Sequence, residues 1–405
     1  MKQFTIHIHP QLINTANYDS KCRLEFSNIH FKVFRISISL IIHFCEQHYF
    51  LFQINKEIKW LKPPLNSLLQ KNSIPSQANP TAAKATTMLK LDAYEHLHIA
   101  LNRDGTITRL LNIPIVKENP EATSGDAAVN KDLSLSVENK TRVRICRPTR
   151  LPSNDNTVAR LPIIIYFHNG GFILHTAATK EPHQSCSEFA SEIPAIVVSL
   201  DYRLAPEHRL PAQYEDAMDA ILWTKQQILD QNGEPWLKDY GDFSRCYLCG
   251  RGSGGNIAFH AALKALDLDL KPLTIVGLVL NQPFFGGNQR KTSELKFAED
   301  QELPSHVLDL IWDLSLPIGT DRDHPYCNPT VAGPHKIKMS MLEKCLMISS
   351  CGDSMHERRQ ELASMMVKSG VNVQSWFHDA GFHNIDSVDE QLPRNLLNII
   401  KEFVI

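Results

Sequence analysis

The 405-residue sequence reads as an α/β domain: a mostly parallel sheet held between layers of helices. Three observations predict this. From Leu91 onward, short apolar runs rich in β-branched residues recur along the chain. Segments with apolar residues at helical spacing alternate with them. At 43% hydrophobic residues, the chain is apolar enough to bury a sheet on both faces.

The predicted strands are "LPIIIYFH" (Leu161 to His168), "AIVVSL" (Ala195 to Leu200), "CYLCG" (Cys246 to Gly250), "TIVGLVLNQP" (Thr274 to Pro283), "CLMISSCGD" (Cys345 to Asp353) and "VNVQSWFH" (Val371 to His378). Each is too short for a helix of ordinary length and too continuously apolar for a sheet wet on one face. Between and after them, Tyr214 to Ile228, Asn256 to Leu266, Arg358 to Ser369 and Gln391 to Phe403 carry the helical period. The long interval Gly286 to Glu343 is where extra helices can be inserted over the sheet edge. With residues 91–115 it is expected to form a cap.

Residues 1–87 differ from the rest: rich in His, Phe and Ile, poor in acidic groups, and closing in "NSIPSQANPTAAKATT". They read either as a targeting or anchoring extension or as an unstructured or non-native leader, and the second reading is favoured, with the working domain spanning 88–405. The most apolar piece, Ile36 to Phe44, falls short of the roughly 20 apolar residues a bilayer span needs. No membrane span is expected.

Charge narrows the partners. Lys plus Arg (42) nearly balances Asp plus Glu (44), and no basic stripe exists to meet a phosphate backbone, so nucleic acid is not an expected partner. Nine cysteines form no disulfide framework. They point to a reducing compartment, cytoplasmic with the nucleus as a further option. Cys246 and Cys249 lie three apart in a predicted strand and so point to opposite faces, which makes them structural thiols rather than a redox pair. Asn139-Lys140-Thr141 is a glycosylation sequon by pattern, read as a chance match in a surface turn.

Function in such a sheet collects where strands end. After the strand ending at His168, the run His168-Asn169-Gly170-Gly171 offers closely spaced backbone N–H groups without side-chain obstruction, the arrangement that holds a developing oxyanion. Next comes "DYRLAPEHRLPAQYEDA" (Asp201 to Ala217), and later "CGRGSGGNIAFH" (Cys249 to His260), where a strand bends into a helix. Gly250, Gly252 and Gly255 match G-x-G-x-x-G, but a dinucleotide site wants an acidic residue at the end of the next strand, and Thr274 to Pro283 has none. No H-E-x-x-H helix, zinc-like cluster or Walker loop is present. Neither a metal nor another cofactor is expected.

These stretches, with "DRDHPYCNP" (Asp321 to Pro329) and "DAYEHLHIALNRDGTITRLL" (Asp92 to Leu111), resemble the plant carboxylesterase branch of the hormone-sensitive-lipase-like α/β-hydrolases, relatives of the gibberellin receptors. The resemblance covers nearly everything after Met88. It implies the α/β-hydrolase fold with a helical cap, an HGGG-like oxyanion hole formed by Gly170, Gly171 and Ser253, and a Ser-Asp-His triad. "CGDSMHERR" resembles the family's acid stretch and puts Asp353 in the position of the triad acid. "DAGFHNID" puts His383 in that of the base. The order after the elbow, acid then His, is that of α/β-hydrolases.

The elbow departs from the family. Its usual text, G-x-S-x-G-G-N, fixed on Gly254-Gly255-Asn256, puts Gly252 at the nucleophile position. Ser253 stands one place late. Taking Ser253 as an alternative nucleophile would set Arg251 two residues before it, where strand and helix packing calls for a small residue. In the favoured frame Ser253 keeps only its backbone donor role.

The resemblance therefore implies a carboxylesterase-like protein acting on a small-molecule ester or apolar plant metabolite, with triad hydrolysis impaired. Its alternatives are a receptor-like ligand-binding protein, or a dehydratase or cyclase using His383 as base. Phe172, Phe284, Phe285 and Trp312 are candidate walls of an apolar substrate pocket. Oligomeric state is not legible.

Overall fold

The computed structural model describes residues 92–154, 157–378 and 391–405. The expectation of an N-terminal leader over residues 1–87 lies outside them, as does His383. Eight strands build the central sheet: β1 (Ala128–Ser136), β2 (Thr141–Pro148), β3 (Leu161–Phe167), β4 (Ile196–Asp201), β5 (Gly241–Arg251), β6 (Ile275–Asn281), β7 (Lys344–Ser350) and β8 (Asn372–His378). Their spatial order is β8-β7-β6-β5-β3-β4-β2-β1. Every pair from β4 to β8 is parallel; β2 runs antiparallel to both β1 and β4.

Alternation of side chains explains why these runs are apolar throughout. In β3, Leu161, Ile163, Ile165 and Phe167 enter one core while Ile164 and Tyr166 enter another on the opposite face. Cys246 and Leu248 of β5 face the first core, Tyr247 and Cys249 the second, so the two cysteines do lie back to back across the sheet. The first core is filled by helices α2 (Ala212–Leu229), α3 (Ser253–Ala265), α4 (Ser305–Ser315) and α5 (His356–Lys368). The second is closed by α1 (Lys180–Glu192) and α6 (Leu392–Val404), through Cys186, Phe189, Leu396, Ile400 and Phe403.

Four elements go beyond the sequence reading. Strands β1 and β2 carry polar residues through their length, so no continuous apolar run announced them. Helix α1 buries only Pro182, Cys186, Phe189 and Ala190 of its thirteen residues, too thin a stripe for the helical period to stand out. Helix α3 begins at Ser253 rather than Asn256, drawing three weak helix formers, Ser253, Gly254 and Gly255, into its first turn.

The segments expected to form a cap are helical and hairpin-like. Short helices Thr292–Lys296 and His335–Met339 flank α4. Ahead of the sheet, Ile99–Leu101 pairs antiparallel with Ile107–Arg109. Arg109 fastens this hairpin by donating to the Ile173 carbonyl (2.7 Å), the Ala205 carbonyl (3.0 Å) and the Glu207 carboxylate (2.9 Å). Asp92 meets His306 of α4 at 3.1 Å. Among the described residues no helix is long and apolar enough to cross a membrane.

Candidate active site

The bend between β5 and α3 has Gly252 at its apex, at φ 55° and ψ −121°, a left-handed conformation that L side chains rarely adopt. Its backbone is fully engaged. The N–H donates to the Asn281 carbonyl at 3.0 Å, and its carbonyl accepts from Gly255, Asn256 and Phe284. The glycines on either side are there for contact: a Cβ on Gly250 would stand 2.0 Å from the Gly254 carbonyl oxygen, and one on Gly254 would stand 1.9 Å from that of Phe167. Position 252 is different. A Cβ there would meet the Asn169 Cβ at 3.4 Å, an ordinary van der Waals contact. The bend thus has space for a side chain at 252 and excludes one two residues to either side. Ser253 begins α3 and is 1% exposed; its Oγ makes no hydrogen bond. It lies against the buried Tyr202, whose hydroxyl burial pushes above its ordinary pKa.

The loop after β3 lies against this bend. Gly170 (φ 115°), Gly171 (φ 62°) and Phe172 (φ 66°) follow one another in left-handed or glycine-type conformations, which turns their N–H groups out of the strand direction. Among the described residues no backbone carbonyl accepts the N–H of Gly170, Gly171 or Ser253. The loop's base is rigid. His168 stacks on Tyr202 at 4.0 Å and accepts the Tyr202 hydroxyl on its carbonyl at 2.9 Å. Burial holds the His168 imidazole neutral, its pKa lowered to about 3. Thus the "DYRLAPEH" stretch supports the glycine loop from below, with Ala205 N–H also donating to the Phe172 carbonyl at 3.0 Å.

Asn256 explains two further motifs at once. Fully buried, it accepts from the Tyr214 hydroxyl (2.7 Å) and donates to the carbonyls of Phe284 (3.0 Å) and Tyr326 (2.8 Å), tying α3 to the loop after β6 and to the "DRDHPYCNP" stretch.

Asp353 lies in the turn between β7 and α5 and is completely buried. One carboxylate oxygen accepts the Met355 N–H at 2.8 Å; the other meets Arg359 Nη1 at 2.9 Å. Arg359, equally buried, also donates to the Pro283 carbonyl and to Ser349 Oγ. Glu357 accepts the Thr292 N–H at 2.9 Å.

The four aromatics expected to wall a pocket are buried in this conformation. Phe284 stacks on Trp312 at 4.8 Å, Phe172 contacts both, and Phe285 meets Phe259 edge-on. Phe284 follows the elbow directly, its N–H on the Gly252 carbonyl. A cavity of about 340 Å³ opens elsewhere, at the opposite end of the sheet beside Ile275 and Lys344, and contains none of the residues above. Among the described residues no group of three or more His, Cys, Asp or Glu side chains converges as metal ligands would.

Sequence reading missed Asn169, Tyr202 and Arg359. Arg359 was hidden because a charged residue inside a helix is ordinarily solvated. Asn169 offered a signal, a side chain within an otherwise glycine-rich loop. It faces position 252 and donates from its amide to Glu181 at 3.3 Å, while Glu181 pairs with Arg251 at 2.8 Å.

A strand, a tight left-handed bend and a helix on a mostly parallel sheet, with a glycine-rich loop beside them and a buried carboxylate after a later strand, define an α/β-hydrolase. A family model for the alpha/beta hydrolase fold matches residues 164–387, and the chain belongs to that family. Within it the chain is a plant carboxylesterase of the hormone-sensitive-lipase-like branch. It is 52% identical over 314 residues to probable carboxylesterase 9 of Arabidopsis thaliana, covering 77% of this chain and 97% of that one. It is 44% identical to the 3-O-acetylpapaveroxine carboxylesterase CXE2 of Papaver somniferum, covering 77% and 99%. A solved esterase of Pyrobaculum calidifontis shares the fold at a TM-score of 0.57 and 22% identity, covering 83% of this chain and 95% of that one.

Proposed function

We propose that this carboxylesterase-like chain binds small-molecule esters beside the bend at Gly252 and has given up hydrolysis through an acyl-enzyme. The poppy relative, named for an acetylated substrate, supports an acetyl ester of an apolar ring system as the ligand class. The observation that carries the reading is the residue at the apex: a glycine, with room beside it for the side chain it lacks. Nucleophilic catalysis needs an oxygen there to attack the ester carbonyl while an imidazole takes its proton and an acid holds the imidazole. Without that oxygen no acyl-enzyme forms. The available donors of Gly170, Gly171 and Ser253 still suit a carbonyl oxygen, so recognition survives the loss. Ser253 suits the attacking role poorly, since its hydroxyl is buried against Tyr202 rather than standing at the apex. Asp353 and His383 are proposed as the retained acid and base, and a reducing compartment, cytoplasmic or nuclear, as the setting.

The test is a paired assay of the natural chain and Gly252→Ser on a panel of acetyl and aryl esters, with fluorophosphonate labelling of both. The expected outcome is labelling and turnover in the serine variant alone. Labelling of the natural chain at Ser253 would overturn the reading.

A further inference from the structure

Six of the seven described cysteines, Cys146, Cys186, Cys246, Cys249, Cys327 and Cys345, are buried; Cys351 is partly exposed. Burial pushes the six thiols above their ordinary pKa, that of Cys186 to about 12, and keeps them inert. Cys351 sits two residues before Asp353, with its Sγ 3.5 Å from His356 Nε2. The direction of that contact is set from the far side of the imidazole. Arg359 can only donate, and it donates to Ser349 Oγ at 3.2 Å. Ser349 Oγ lies 3.0 Å from His356 Nδ1, among the described residues the one side-chain acceptor its hydroxyl meets. The serine therefore donates to Nδ1, and the ring proton resides on Nε2, aimed at the sulfur. An edge contact with Phe377 at 5.4 Å holds the ring in place.

We propose that Cys351 is a peroxide-reactive thiol, activated by a one-way chain of donors running from the buried Arg359 through Ser349 and His356 to its sulfur. The groups facing His356 are Cys351, Arg359, Asp353, Glu357 and His378; burial and then Arg359 lower its pKa, and Asp353 and Glu357 oppose them. The imidazole thus stays neutral near pH 7 and works as a fixed N–H donor, which stabilises a thiolate beside it. The thiol first releases its proton to solvent. The thiolate then attacks one oxygen of hydrogen peroxide: an S–O bond forms, the O–O bond breaks, sulfur gives up two electrons, and the departing hydroxide is neutralised by the proton the thiol released to solvent. The products are a sulfenic acid and water. The added oxygen enters the turn that carries Asp353, where the Cys351 N–H already donates to the His378 carbonyl at 3.0 Å.

The full chain, treated with hydrogen peroxide and trapped with dimedone, is mapped by mass spectrometry, and iodoacetamide rates are followed against pH. Expected is an adduct at Cys351 well ahead of the six buried cysteines, with an alkylation midpoint below the ordinary thiol value of about 8.5. His356→Phe should slow Cys351 labelling about tenfold at pH 7 and raise the midpoint by about one unit. Ser349→Ala, a smaller change should the first variant not fold, should move both in the same direction. Mere exposure of the thiol would leave the midpoint where it is in both variants. A Cys351 midpoint at or above the ordinary value, or one that neither substitution moves, overturns the proposal.

Discussion

Two turns at the carboxyl ends of strands invite comparison: the elbow after β5 and the acid turn after β7. At the elbow the geometry is held by backbone and by missing side chains. Gly250 and Gly254 touch carbonyls that no Cβ could approach, and Gly252 is fixed by four backbone hydrogen bonds. At the acid turn the geometry is held by a charge pair, Asp353 with Arg359, both sealed from water. The residue expected to do chemistry can therefore be lost at the elbow without disturbing the fold, because it was never part of what holds the bend. At the acid turn Asp353, proposed as the acid, is itself part of what holds the turn. On the proposed reading, chemistry is separable from scaffold in one place and inseparable in the other.

The strongest way to break this contrast is at the apex itself. Gly252→Ser should raise ester turnover by about 10³-fold or more, within the roughly 10⁶ that loss of a serine nucleophile costs a well-studied protease. Its stability cost should stay at about 1 to 3 kcal/mol, the strain of a side chain in that conformation. Asp353→Asn should instead destabilise by about 3 to 5 kcal/mol in a denaturant titration, since it leaves Arg359 buried beside a neutral group. Equal stability losses in the two variants would erase the distinction.

A smaller effect concerns two buried imidazoles, His168 at the base of the glycine loop and His260 on α3. His168 and His260 are buried neutral, each with its pKa lowered to about 3. The unfolded chain takes up their protons below about pH 6.5 while the folded chain refuses them until near pH 3. Stability is untouched above that window and falls as pH drops through it, by up to about 1.4 kcal/mol per pH unit for each histidine. Replacing His260 with Gln should flatten the acid limb of a stability profile between pH 6 and pH 4, both values being approximate readings of that window. The smallest effect belongs to Glu181→Gln. Its carboxylate is exposed and its pair with Arg251 lies at the rim, so the loss should be within about 1 kcal/mol.

The sheet was legible because its central strands are buried on both faces, and burial writes itself as runs such as Ile163-Ile164-Ile165. Strands β1 and β2 were not, since polar residues interrupt both and neither carries such a run. The frame of the elbow could be read from Gly254-Gly255-Asn256, and the reason lies in contact: Gly254 meets the Phe167 carbonyl and Asn256 bridges to Tyr326. Arg359 and the Cys351–His356 contact were beyond reach, because pairing across a turn and a helix depends on side-chain direction rather than on spacing.

The 3.4 Å clearance between Asn169 and the empty position at 252 has an evolutionary meaning. Among the glycines of that bend it marks the one whose replacement needs no accommodation by its neighbours, so a single substitution can introduce a hydroxyl, a thiol or a carboxylate against the same three amide donors. On the proposed reading, the chain is one substitution away from an elbow that presents a reactive side chain.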